Sequence, residues 1–260
     1  MVETNFLLIL LVGIFVGGAA GFLGSFMVLK RMALVGDAFT HVALPGMAIA
    51  LLLNFDPMIG AFLALALAAL GIWYFEETSR IYPEALVGIF FTTALAAGVL
   101  ITPEPELLEA LFGNIESITA IEGIAAIILS VVVSALAYLI SKKLILGVVS
   151  EELATSVGIS KRKINLLYLF LVAITVTLGI RFVGTLLMGA LVIIPAASAK
   201  NISSSLNNYY LLSVFFGVAS AIVGIGLTVI WGIASGPAVV LTSTFFFLTT
   251  FIVKTLVQKE

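Results

Sequence analysis

Cysteine is absent from these 260 residues, and histidine occurs once, at His41. The first absence excludes disulfides, thiolate metal sites and a cysteine nucleophile. Together the two counts argue against an intramembrane hydrolase, which needs a nucleophile with its base or a three-ligand metal site. Charge is scarce too, at 10% of the chain, where a soluble domain carries about a quarter. The 12 basic residues are scattered, so no face for nucleic acid is indicated. No G-x-x-x-x-G-K-[ST] segment occurs, so the chain has no phosphate loop of its own for ATP hydrolysis.

What fills the chain instead is apolar. Hydrophobic residues make up 62% of it and the mean hydropathy is +1.28, which identifies an all-α integral membrane protein. The start, MVETN, lacks the positive region of a cleaved signal peptide and is read as the beginning of the first span. A spanning helix needs roughly 20 mostly apolar residues. That rule segments the chain near 6–29, 32–53, 57–75, 84–102, 118–140, 164–180, 182–199, 209–231 and 236–257. The breaks at Arg181 and around Ser235-Gly236-Pro237 are weak, so the expectation is a polytopic bundle of eight to nine spans, eight requiring one broken or re-entrant segment. The whole of 1–260 forms one transmembrane domain without a soluble module, and its sizeable loops are 103–117 and 141–163.

The basic residues orient the bundle. With nine spans and the N-terminus outside, Lys30, Arg31, Arg80, Lys142, Lys143, Lys161, Arg162, Lys163, Lys200, Lys254 and Lys259 all fall on the cytoplasmic side, as the positive-inside rule asks. Arg181 alone falls outside or within the membrane. The same arrangement gathers Glu104, Glu106, Glu109 and Glu116 on the outer face, as a docking surface, a cation antechamber or an ordinary solvated loop. Gly13, Gly17, Gly21 and Gly24 recur at helical spacing on the first span, which lets helix backbones approach closely in lipid. Tight packing inside the bundle accounts for that stripe better than a dimer seam does.

The segment VGDAFTHVALPG, 35–46, carries Asp37 and His41 in an otherwise apolar run. Four residues apart, the carboxylate and imidazole share a helix face. Helical rise puts them about 9 and 15 Å beyond Arg31 at the cytoplasmic border, within the hydrocarbon, where a charge costs at least about 2.5–3.5 kcal/mol. Pro45 lacks an N–H and leaves the carbonyl of His41 bare, and the sequence alone predicts that it breaks the helix there. Three readings compete: a hydrogen-bonded pair joining two helices, a proton relay, and metal coordination. Carboxylate and neutral imidazole are ligands for Zn²⁺, Mn²⁺ and Fe²⁺. One protomer offers two side-chain ligands, whereas two protomers about a two-fold axis offer four, which favours a homodimer with a shared path.

Three stretches then resemble the permease subunits of ABC-type zinc/manganese importers: LKRMALVGDAFTHVALPGMAIALLL at 29–53, SEELATSVGISKRKINLLYLF at 150–170, and VGTLLMGALVIIPAASAK at 183–200. They occur in family order. The resemblance implies a homodimeric plasma-membrane permease, two cytoplasmic ATP-binding subunits and an extracellular protein that delivers the metal. It places Asp37 and His41 on the metal path and makes 141–163 the ATPase-coupling loop, with Glu151, Glu152, Ala154 and Gly158 in it. Zinc, manganese or iron is then transported cargo, and no permanently bound cofactor is expected. The alternatives are a proton-coupled secondary transporter and an ABC permease for chelated metals such as cobalamin or siderophores.

The charge bias makes a direct prediction. A cysteine introduced at Ser156, in this cysteine-free chain, is labelled from the cytoplasmic side only. Ready reaction with an impermeant thiol reagent on intact cells would reverse the orientation.

Overall fold

The computed structural model of the chain describes residues 2–78, 83–101, 110–113 and 118–257. Among them are ten named helices: α1 (Val2–Leu29), α2 (Ala33–Leu52), α3 (Pro57–Thr78), α4 (Pro83–Ile101), α5 (Ala120–Val149), α6 (Glu151–Ser156), α7 (Lys161–Val183), α8 (Thr185–Ile202), α9 (Leu206–Trp231) and α10 (Ser235–Val257). Every expected apolar segment is a helix, and no strand occurs among the described residues. Seven helices are long and apolar enough to cross a membrane, and Ala85–Ile101 and Leu187–Ile202 are shorter apolar helices. Arg80, Lys259 and the acidic residues Glu104, Glu106, Glu109 and Glu116 lie outside the described residues.

Three details differ from the sequence expectation. Pro45 does not break its helix: α2 runs through it to Leu52, and α8 likewise runs through Pro195. A proline removes one N–H from the ladder, but neighbouring helices hold these two in place. The weak break expected at Arg181 falls at Gly184 instead, a single residue between α7 and α8 with φ +85°. That backbone conformation suits glycine, which has no Cβ, so the turn sits where the glycine is. The loop expected over 141–163 is also shorter, because α5 continues to Val149 and α7 starts at Lys161. Lysine is a good helix former, so Lys142 and Lys143 extend the helix beyond its apolar part with both side chains exposed.

Serine side chains cap three helix starts. Ser150 Oγ accepts from Leu153 N (3.2 Å) ahead of α6, Ser160 Oγ from Lys163 N (3.4 Å) ahead of α7, and Ser205 Oγ from Asn208 N (3.3 Å) ahead of α9. Each satisfies an N–H that the first turn leaves unpaired.

α1 is the hub, packed against α9, α5, α8 and α7, while α2 lies between α3 and α4 and also meets α8. Glycines set these crossings. A Cβ on Gly17 would stand 2.7 Å from the carbonyl oxygen of Gly217, one on Gly21 2.2 Å from that of Ser213, and one on Gly24 1.8 Å from that of Val192. The stripe on α1 is therefore consumed by α9 and α8 of the same chain. The α2–α3 crossing is reciprocal: a Cβ on Gly46 would lie 2.4 Å from Gly60 O, and one on Gly60 2.3 Å from Gly46 O. Between these crossings lie the fully buried Phe26, Phe39, Tyr168 and Ile180.

Gly24→Val is expected to lower the stability of the detergent-solubilised chain by at least about 1–3 kcal/mol, the cost of overpacking. Gly226→Ala, where nothing lies within 4 Å of the new methyl, is expected to be neutral. Thermal unfolding of the two variants checks this, and equal melting would dismiss the glycine contacts as the determinant of helix spacing.

Candidate functional site

α2 presents Asp37 and His41 one turn apart. The Asp37 side chain is half-buried, and His41 is buried at 7% exposure. Asp37 fits because α8 has a glycine opposite it: a Cβ on Gly189 would stand 2.9 Å from Asp37 Oδ1 and 3.0 Å from its Cα. The Asp37 carbonyl accepts a hydrogen bond from Thr40 Oγ1 at 2.6 Å. Phe91 of α4 meets the His41 ring at right angles (88°), with centroids 4.7 Å apart. His41 Nδ1 is buried and has no hydrogen-bond partner among the described residues. A buried imidazole nitrogen without a protein partner is uncommon, and its lone pair or N–H is available to a ligand. One turn on, Gly98 of α4 presses against the proline turn of α2, where a Cβ would lie 2.9 Å from Leu44 Cβ and 3.2 Å from Pro45 Cδ. α2, α4 and α8 thus enclose a carboxylate, an imidazole and a carbonyl freed by Pro45. Among the described residues no group of three or more Asp, Glu, His or Cys side chains comes together, so this part of one chain brings together two candidate side-chain ligands.

The candidate coupling residues lie elsewhere, between α5 and α7. Glu151 and Glu152 open the six-residue helix α6; Glu152 is exposed, and the Glu151 side chain lies outside the described side chains. Ala154 is fully buried against the bundle, whereas Leu153 (55%) and Val157 (63%) stand exposed. Gly158 has φ +73° and open space around it. Its N–H donates to Thr155 O (3.0 Å), and that of Ile159 to Ala154 O (2.9 Å). This is a glycine-dependent helix stop and explains why the glycine follows α6.

Sequence reasoning missed how firmly the start of α7 is held. Trp73 Nε1 donates to Arg162 O at 3.1 Å, and the Arg162 guanidinium lies 4.2 Å from the centre of the Trp73 ring. Lys30 Nζ donates to Asn165 Oδ1 and sits 5.1 Å from the Tyr168 ring, while Tyr168 Oη donates to Leu23 O at 2.9 Å. Thus α3 and α1 both grip α7 just after the α6 loop. The one sequence signal was the basic cluster 161–163 opposite a tryptophan near a helix end.

Arg181 finds a partner as well. Its Nη1 lies 2.6 Å from Glu122 Oε1, at the far end of α7 from the Arg162 contacts. Glu122 also completes a capping box with Thr119, whose backbone N–H donates to Glu122 Oε2 at 2.9 Å. The T-x-x-E spacing was legible at 119–122, but its pairing with a residue some sixty positions later was not.

Residues 4–254 match the model of the ABC 3 transport family. The chain belongs to that family. It is 31% identical over 247 residues to the manganese transport system membrane protein MntC of Listeria monocytogenes, covering 94% of this chain and 88% of that one. It is 29% identical over 244 residues to the high-affinity zinc uptake system membrane protein ZnuB of Buchnera aphidicola, covering 92% and 94%. Its structure is similar to PsaBC from Streptococcus pneumoniae in complex with Fab, with a TM-score of 0.83 at 31% identity, covering 94% of this chain and 89% of that chain. A multi-pass membrane permease, the expectation from the sequence, is what family and helices together establish.

The Glu122–Arg181 pair is partly exposed, at 36% and 26%. A double-mutant cycle with Glu122→Gln and Arg181→Gln is therefore expected to give a coupling energy below about 1 kcal/mol in thermal unfolding. A larger coupling would mean that the pair is shielded from water in the membrane.

Proposed function

We propose that this chain is the permease subunit of an ATP-driven importer of a divalent transition metal ion, manganese, zinc or iron. It works as a homodimer of nine-span protomers with the N-terminus outside. A cytoplasmic ATP-binding subunit docks on α6, and an extracellular binding protein delivers the metal. The observation that carries the metal reading is the Asp37–His41 face, a carboxylate beside an imidazole with an unpartnered nitrogen, enclosed by helices in a chain of the ABC 3 transport family.

Nine crossings are supported by which helix ends meet. Lys30 at the end of α1, Trp73 near the end of α3 and Arg162 at the start of α7 cluster together. Glu122 and Arg181, at the start of α5 and the end of α7, meet on the other side. Alternating helices in that way leaves Lys254 of α10 on the same side as Lys30.

The chemistry follows from the ligands. A metal ion leaving water needs replacement donors, and Asp37 supplies charge while neutral His41 supplies a nitrogen lone pair. Two side chains hold an ion weakly, which suits a path that must release it. A second copy doubles the set, as the dimer proposal requires. His41 is covered by Phe91, so admission of the ion needs α4 to shift against α2. The Pro45–Gly98 contact, where α2 lacks one ladder hydrogen bond, is the weakest place for that shift. The exposed Leu153 and Val157 of α6 give the ATP-binding subunit an apolar hold close to the clamped start of α7.

Asp37→Ala and His41→Ala should each assemble and bind the ATP-binding subunit, yet lose metal uptake in vesicles by about tenfold or more, the scale on which even supporting groups of metal sites act. His41→Asn should fall between. Wild-type uptake by His41→Ala would reduce the pair to a packing contact between helices.

A further inference from the structure

Along α9 and α10, buried hydroxyls bond back to their own helix: Ser213 to Tyr209 O (2.8 Å), Thr242 to Ala238 O (2.8 Å) and Thr250 to Phe247 O (2.9 Å). Ser220 of α9 and Ser243 of α10 are fully buried, yet neither Oγ has a hydrogen-bond partner among the described residues. The two lie at one level of an antiparallel pair. One turn to one side, a Cβ on Gly224 would stand 2.5 Å from Val239 Cα; one turn to the other, the Phe216 and Phe246 rings meet with centroids 5.7 Å apart. The glycine contact draws the helices together and the rings hold them apart, and the two short side chains between do not bond one another.

A third polar atom belongs to the same level. α8 packs against both α9 and α10. Its Leu187 Cδ1 stands 2.9 Å from where a Gly236 Cβ would be, and its Asn201 Nδ2 donates to Thr250 Oγ1 at 3.2 Å. Those two contacts set Ser243 opposite the turn of α8 that leads into Pro195. Proline offers no N–H to the carbonyl four residues back, here that of the fully buried Leu191. Leu191 and Pro195 lie on the row of α8 that, one turn later, carries Ala199 into a cluster with Tyr209 and Phe216 of α9.

We propose that Ser220 Oγ, Ser243 Oγ and the Leu191 carbonyl bind one water molecule between α8, α9 and α10. Buried waters make about three hydrogen bonds to groups that otherwise lack partners, and two hydroxyls with a carbonyl supply that number. A hydroxyl can donate or accept, so the water donates to the carbonyl and one serine and accepts from the other. All three protein atoms are then paired, in a region where the bilayer offers them nothing else. α8 is also the helix that lays Gly189 against Asp37. The water therefore holds the proline turn of the helix that backs the carboxylate, whichever ion is carried.

Thermal unfolding of the full-length chain tests this with Ser220→Ala, Ser243→Ala and the double variant. A buried hydroxyl without a partner costs stability, so removing one would raise Tm. With the water bound, each single variant is expected instead to lower Tm by about 2–4 °C. The double variant is expected to fall hardly further than the lower single one, because the first substitution already releases the water. Pro195→Ala returns an N–H to the Leu191 carbonyl and is expected to shrink both serine losses. An experimental map that resolves ordered water is expected to show density between the two Oγ atoms. An unchanged or raised Tm in either single variant, additive losses in the double variant, or direct contact of the two Oγ atoms in the map overturns the proposal. Undiminished serine losses in the Pro195→Ala background overturn the carbonyl's place in the site.

Discussion

The bilayer core offers no water to a peptide group, and the rest of this structure depends on that constraint. Each crossing segment must satisfy its N–H and C=O groups internally, which only helices and closed barrels do. Between helices the lipid tails are as apolar as leucine, so association relies on close contact. Here the contact is backbone to backbone through glycine: Gly24 against Val192, Gly17 against Gly217, Gly46 against Gly60. These crossings fix α1 as the hub and clamp α2 to α3, and every polar group near the site sits where they leave it.

Packing by absent side chains also explains how a carboxylate is tolerated among the helices. Gly189 leaves α8 open at the level of Asp37, and Gly98 leaves α4 room against the proline turn of α2. A larger residue at either place would close the space that the polar groups share. The site is therefore a by-product of the same device that holds the bundle, placed beside the one turn of α2 whose ladder is interrupted.

Much of this was legible from residues alone. Nine apolar runs became nine helices, the Gly17–Gly24 stripe turned out to be internal, and the i, i+4 placement of Asp37 and His41 is carried by an unbroken α2. What escaped was non-local or depended on context. Hydropathy marked Arg181 as a boundary because it is charged, but the turn is made by Gly184, the residue able to hold φ +85°. Pro45 was taken for a break because a single helix cannot repair the lost hydrogen bond, whereas flanking helices can hold the proline turn in place. No periodicity in α7 announces that Arg162 meets Trp73 or that Arg181 meets Glu122, since the partners come from distant segments.

The two kinds of contact divide the molecule by depth. Mid-helix crossings are made by glycine against main chain, where a shift of even an ångström meets a carbonyl, so they resist sliding. The helix ends are joined by longer side chains: Arg162 on Trp73, Lys30 with Asn165 and Tyr168, Arg181 with Glu122. Such contacts can turn and re-form while remaining paired. In the proposed transporter, a push on α6 meets Gly158, whose surroundings are open, and then the clamped first turns of α7. Rigid crossings beyond that point require the push to tilt whole helices instead of bending one. A tilt of α1 and α3 carries α2 with them through Gly46 and Gly60, while α4, among the described residues, is held chiefly by α2 and only lightly by α3. Opening beside His41 therefore falls to the α2–α4 face, the face on which Phe91 covers the imidazole.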